Sequence, residues 1–219
     1  AALAISTALS GVAFAQDAAR IALLHGLSAA AGTDLETVTV DHGLRPEAAG
    51  EAAFVARRAS ALGLSHETLR WRGWDGQGNL QNAAREARYR LMADWAERRG
   101  LPCVALGHTA DDQAETVLMR LARRSGVDGL SAMAPRSKRH GITWLRPLLF
   151  ARREALRGHL RRAAVEWVDD PSNDDPRYTR IQTRQTLAAL APLGLDVETL
   201  AEVASNMARA RDALDQQAD

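Results

Sequence analysis

The sequence is poor in sulfur, in lysine and in long apolar runs. Cys103 is its single cysteine and Lys138 its single lysine among 219 residues. A lone thiol excludes an intramolecular disulfide framework and any metal cluster held by cysteine alone. No uninterrupted apolar stretch approaches the ~20 residues that a membrane-spanning helix requires. Residues 1–15 are small and apolar but carry none of the basic side chains that open a secretory signal. A cytoplasmic protein without a membrane partner is the expectation. Charge of one sign is not in excess either, with 28 basic against 27 acidic side chains and 46% hydrophobic residues. That balance argues against a disordered chain, a collagen or a coiled-coil rod, and for a globular chain with a sizeable core.

What is present is unevenly placed. Residues 120–162 carry 12 basic side chains and only 2 acidic ones, Asp128 and Glu154. Every basic residue except Lys138 is arginine, whose planar fork suits phosphate. A concentrated basic stretch in a near-neutral chain points to a polyanion, nucleic acid first, against the plainer reading of a solvated helical face.

The apolar pattern alternates between two periods. Residues 3–8, 36–41, 66–71 and 102–106 are short apolar or β-branched runs and read as strands. Between and after them, residues 17–31, 46–62, 79–100 and 110–123 read as helices, the third opened by Asn79 as its N-cap. Leu80, Ala84, Ala87, Leu91 and Trp95 share a face of that third helix, and Ala114, Val117, Leu118 and Leu121 point inward from the fourth. Four strand–helix units in succession predict an α/β sandwich around a parallel sheet. Beyond Gly126 the rhythm breaks. Residues 126–141 read as loop, 142–148 as an edge strand, 152–163 as a basic helix and 169–176 as an acidic turn. Helices near 180–190 and 196–217 form a C-terminal extension. Trp144 and Trp167 are assigned to the core.

In a sheet of this kind ligands bind beyond the carboxyl ends of the strands, so the residues just after each strand carry the function. Gly107-His108-Thr109-Ala110-Asp111-Asp112-Gln113-Ala114-Glu115-Thr116 is the richest of these segments. Asp111 and Glu115 are four apart and Asp112 and Glu115 three apart, so the carboxylates share a helical side. Three acids there suit Mg²⁺ or an ammonium group, whereas acids that merely complement the helix dipole would explain one or two of them. His108 and Gln113 stand beside them. Asp41 and His42 form a second strand-end cluster, and Arg85 and Arg88, three apart, can reach one anion together or cover an exposed helix.

The residues also carry a resemblance. Val40–Pro46, Asn79–Tyr89, Gly107–Met133, Arg146-Pro147-Leu148-Leu149 and Asp170-Pro171-Ser172-Asn173 occur in the order seen in tRNA(Ile)-lysidine synthetases, which are N-type ATP pyrophosphatases of the PP-loop superfamily. The similarity covers roughly residues 36–184. It implies a Rossmann-like parallel sheet sandwiched by helices, of the adenine nucleotide alpha hydrolase-like kind. Residues 1–150 would be the PP-loop-type nucleotide-binding domain and 151–219 a helical extension of the same catalytic domain. The implied reaction adenylates the wobble cytidine of an isoleucine tRNA with ATP and releases pyrophosphate. The ε-amine of free lysine then displaces AMP, with Mg²⁺ accompanying the nucleotide. Asp111, Asp112, Gln113 and Glu115 carry over as site residues, with Asp112 and Glu115 as metal ligands. His108, Arg85, Arg88 and Arg184 join them as candidates for the reaction or for phosphate and RNA contacts. The nucleotide side is assigned to Ser10, Gly11, Asp17, Asp41 and His42, and a homodimer is the oligomer to test.

Two departures accompany the resemblance. The family's phosphate loop, Ser-Gly-Gly-x-Asp-Ser, is represented by Ser10-Gly11-Val12 with no Asp-Ser pair following, and Val cannot take the φ > 0 geometry open to Gly. Family members also carry further C-terminal domains that help to recognise tRNA. The alternatives are therefore a catalytically impaired nucleotide- or tRNA-binding module, or another ATP pyrophosphatase acting on tRNA. Thiolases that use paired cysteines are disfavoured by the lone Cys103.

Overall fold

The computed structural model describes residues 3–7, 21, 23–26, 29–30, 32, 34–44, 48–74, 76–163 and 179–218. Six strands and seven α-helices are described in chain order. They are β1 (Leu3–Thr7), β2 (Leu35–Asp41), α1 (Ala48–Ala61), β3 (Ser65–Arg70), α2 (Leu80–Arg98) and β4 (Cys103–Leu106). There follow α3 (Ala110–Leu121), α4 (Val127–Leu130), β5 (Arg136–Arg139), β6 (Ile142–Leu145), α5 (Arg153–Arg162), α6 (Thr179–Leu190) and α7 (Val197–Ala218), with a 3-10 turn at Ala191–Leu193. The fold is α/β, as the sequence pattern predicts. No described helix is long and apolar enough to cross a membrane.

Contacts divide the chain into two compact units. The first holds Ala1–Gly107, Arg136–Leu145 and Arg157–Asp170. Its sheet runs in the order β3-β2-β1-β4-β6-β5. The pairs β1–β2, β1–β4, β2–β3 and β4–β6 are parallel, so five strands end at one rim. Only β5 runs against its neighbour, β6.

Two expectations fail at this edge. Residues 126–141, read as loop, contain α4 and β5, and β6 is an interior strand while β5 forms the edge. The reason is the turn between them. His140 and Gly141 both have positive φ, 50° and 76°, which is the type I′ geometry of a two-residue hairpin. His-Gly is not the usual signature of that turn, and the run Arg-Ser-Lys-Arg lacks the apolar alternation of a strand.

The core of this unit packs α2 against the sheet. Trp144 on β6 is fully buried beside Tyr89, their rings edge to face at 4.7 Å between centroids. Each buried indole N–H is satisfied, Trp144 Nε1 donating to Arg139 O at 3.0 Å and Trp95 Nε1 to Glu67 Oε2 at 2.9 Å. The buried face of α2 comprises Ala84, Arg88, Tyr89, Met92, Ala93, Trp95 and Ala96. Of the five residues read as sharing a face, Ala84 and Trp95 are buried and Leu80, Ala87 and Leu91 are half-buried, with Leu91 packed against the core. Tyr89 and Met92 offer more apolar area than Ala87, and the helix turns to bury them. Asn79 is the N-cap, its Oδ1 accepting from the Asn82 N–H at 3.1 Å.

The second unit holds His108–Pro135, Arg146–Leu156 and Pro171–Asp219. Here Ala110, Ala114 and Val117 of α3 pack with Leu187 of α6 and with Val197, Leu200 and Ala204 of α7. Leu121, expected inward, is 53% exposed because it sits on the last turn of α3.

Candidate active site

Helix α3 brings three carboxylates to one place in the second unit. Asp112 is part of the reason the helix starts where it does. Its Oδ2 accepts both the Thr109 N–H and the Thr109 hydroxyl, each at 2.8 Å. A carboxylate there satisfies orphan donors of the first turn and complements the helix dipole. One turn on, Glu115 is fully buried, and its Oε1 accepts from Arg184 Nε at 2.6 Å. Arg184 comes from α6. Asp111 Oδ2 accepts the backbone N–H of Arg153 at 2.7 Å.

Arg153, the first residue of α5, closes the cluster. Its guanidinium lies 3.5 Å from Asp112 Oδ1 and 3.6 Å from Glu115 Oε1. Burial works against its charge, but Asp112, Glu115 and Asp111 outweigh burial and hold the guanidinium above its ordinary value. Among the described residues, Asp112 and Glu115 face the Arg153 and Arg184 guanidiniums, and Asp111 holds the Arg153 backbone. Among the described residues Glu115 Oε2 is buried with no hydrogen-bond partner. An unpaired buried carboxylate oxygen is costly and implies a cation or donor to come.

The remaining site residues divide as follows. Gln113 does not join the acids: its Nε2 donates to Met133 O at 2.9 Å and its Oε1 accepts from Met133 N at 2.8 Å, clamping the turn after α4. His108 is buried in the same unit, one residue before Thr109. In the first unit, Asp41 Oδ1 accepts from Gly43 N at 2.9 Å and His42 stands edge-on to Trp71 at 5.7 Å. The Arg85 and Arg88 guanidiniums lie 5.4 and 5.7 Å from the centroid of the Tyr89 ring, and that of Arg139 lies 4.3 Å from it. Ser10, Gly11 and Asp17 lie outside the described residues, as do Trp167 and the acidic turn at 169–176.

Sequence reasoning missed Arg153. The basic run at 152–153 is visible in the sequence, but its pairing spans 41 residues of chain to Asp112 and follows no local spacing.

The acids do not fit a divalent metal as they stand. Both oxygens of Asp112 and Oε1 of Glu115 already face Thr109, Arg153 or Arg184, and two guanidiniums repel a dication. Among the described residues no group of three His, Cys, Asp or Glu side chains is placed to hold a metal ion.

Residues 4–191 match the family model of the PP-loop domain. A tRNA(Ile)-lysidine synthase from Ruegeria pomeroyi is 57% identical over 208 residues, 94% of this chain and 50% of the relative. Another, from Bradyrhizobium sp., is 50% identical over 190 residues, 87% of this chain and 53% of the relative. The chain spans about half the length of these curated relatives. Among solved structures, the U34-tRNA thiolase NcsA from Methanococcus maripaludis, determined with its [4Fe-4S] cluster, superposes with a TM-score of 0.71. That likeness covers 94% of this chain and 71% of the thiolase at 13% identity, and it shows the shared fold. The family match runs from β1 through the acid-bearing helix α3 to the end of α6, and the chain belongs to the PP-loop domain family.

Proposed function

We propose that the chain carries the catalytic part of a tRNA(Ile)-lysidine synthetase. ATP adenylates the wobble cytidine of an isoleucine tRNA and pyrophosphate leaves. The ε-amine of free lysine then forms the new carbon–nitrogen bond and displaces AMP. The observation that carries this reading is the buried Oε2 of Glu115, which has no hydrogen-bond partner among the described residues, in a cluster of three carboxylates.

Such a cluster suits the ammonium end of lysine, a monocation with three donors. Glu115 is 1% exposed, so an incoming ammonium exchanges places with a guanidinium that screens it. Arg153, at 3.6 Å, is held less tightly than Arg184, at 2.6 Å, and is the group displaced. Asp112 keeps its place through Thr109 and fixes the second carboxylate. Asp111 positions Arg153 through the backbone. Mg²⁺ supplies charge neutralisation at the triphosphate in reactions of this type, and no step is assigned to it at Asp112 or Glu115. Arg85 and Arg88 are read as candidates for phosphate or RNA contacts.

The test uses α-labelled ATP and an unmodified isoleucine tRNA with a wobble cytidine, with lysine present or absent. The expected result is AMP release that requires the tRNA, with lysine joined to it. AMP formed without tRNA, or no AMP beside an active family enzyme, overturns the reading. The second outcome favours an impaired nucleotide- or RNA-binding module.

A further inference from the structure

In the first unit, the large apolar side chains exposed among the described residues are Leu44, at 47%, and Trp74, at 42%. Both lie in segments that leave adjacent parallel strands, β2 and β3, at the same rim. That rim is where ligands of parallel sheets bind.

The segment after β3, residues 71–78, is built to hold an aromatic ring in the open. Its first residue is tied to β2, Trp71 N donating to Asp41 O at 2.8 Å. The Trp71 ring stands edge-on to His42. Gly73, Gly76 and Gly78 all have positive φ, so the backbone turns tightly at each of them. Trp74 Nε1 donates to Gln77 O at 3.3 Å, which satisfies the indole's polar atom within the loop itself. The ring is therefore fixed and its N–H occupied, while its carbon surface stays exposed. Arg72 beside it is exposed. Tryptophan, histidine and arginine with planar groups at a ligand rim make a surface for stacking on a nucleobase, which every base offers as a π-face.

We infer that Trp74, with the exposed Arg72 two residues before it and the Trp71–His42 pair in segments at the same rim, is a stacking platform for an unpaired RNA base. The inference rests on the proposed RNA substrate and adds the place where a nucleotide of its single-stranded loop is held. An unpaired base and the adenine of a free nucleotide share this chemistry, so the test separates them.

The full chain is titrated with a fluorescein-labelled stem-loop RNA, with a duplex of the same stem, and with ATP. Trp74→Ala is expected to weaken stem-loop binding about tenfold, while Trp74→Phe keeps most of it. Duplex and ATP binding stay unchanged, and circular dichroism confirms the fold of both variants. Equal losses for stem-loop and duplex, or no loss for either, overturn the platform. A loss confined to ATP overturns the RNA assignment in favour of a free nucleotide. The outcomes are separable from those of the ligation. Lysidine formed by Trp74→Ala at unchanged KM for tRNA would sink the platform and leave the ligation standing. Trp74-dependent loop binding in a protein that releases no AMP would do the reverse.

Discussion

Glu115 illustrates how one buried side chain is stabilised and kept reactive at once. Arg184 holds one of its oxygens, and the other has no hydrogen-bond partner among the described residues. Removing Arg184 leaves a buried charge poorly compensated, so Arg184→Met is expected to lower unfolding free energy by about 3 kcal/mol at neutral pH. The loss should shrink in a Glu115→Gln background, and urea titrations of the four proteins read it directly. Glu115→Gln alone keeps the shape but forfeits the charge. Lysine transfer to tRNA is then expected to fall about a hundredfold, the value of a lost charged hydrogen bond, while tRNA-dependent pyrophosphate release persists. Parallel losses in both steps would place Glu115 in the adenylation instead. Asp112 requires gentler treatment, because its Oδ2 also holds Thr109. Asp112→Ala would remove a helix cap worth about 1 kcal/mol together with the charge, and Asp112→Asn separates the two effects.

At the scale of elements, much was legible. Asn79 announces α2, Gly100 follows its end, and β2 and β3 are plain from their β-branched or alternating residues. The acids on α3 were legible as a shared face because helical spacing is local. The hairpin was not, because its turn takes left-handed geometry at a histidine. That turn is suboptimal, and His140→Asn is expected to raise stability by roughly 0.5 kcal/mol, since Asn enters the left-handed region more readily. A shift in the urea midpoint would show it. The β2–β3 pair carries a pH signature. His66 Nδ1 lies 2.9 Å from Thr37 Oγ1, whose hydroxyl donates to Ser65 O at 2.8 Å, and burial depresses the His66 pKa against the opposing pull of Glu67. A depressed histidine favours the neutral form in the fold. Its contribution is present above the ordinary histidine pKa, about 6.5, and declines as pH falls below it. Stability measured at pH 7.5 and 5.5 should fall more in the native chain than in His66→Gln.

Across the whole molecule, the basic stretch at 120–162 shows what charge counting can and cannot see. Several of its cations serve internal partners. Arg120 donates to Gly129 O, Arg146 to Ala134 O, Arg139 to Glu86 and Arg152 to Glu198, and Arg153 faces the acids. Arg123, Arg124, Arg136, Lys138 and Arg162 are exposed. No sequence rule separates the two groups, because the internal acceptors come from distant segments or are backbone carbonyls. RNA affinity should therefore depend on salt with a slope of roughly −2 to −4 in log K against log concentration. A slope near −8, as twelve engaged cations would give at about −0.7 each, would show that the internal pairs open on binding.

The parallel strands have a consequence for how such a chain can change. Their hydrogen-bond ladder is formed by backbone alone, and it constrains the loops beyond the rim only at their two anchor points. The segment 71–78 can therefore be exchanged as a cassette between its ties at Asp41 and Asn79. Inheritance can retune what the protein accepts by rewriting that one loop, at little cost to the scaffold beneath it.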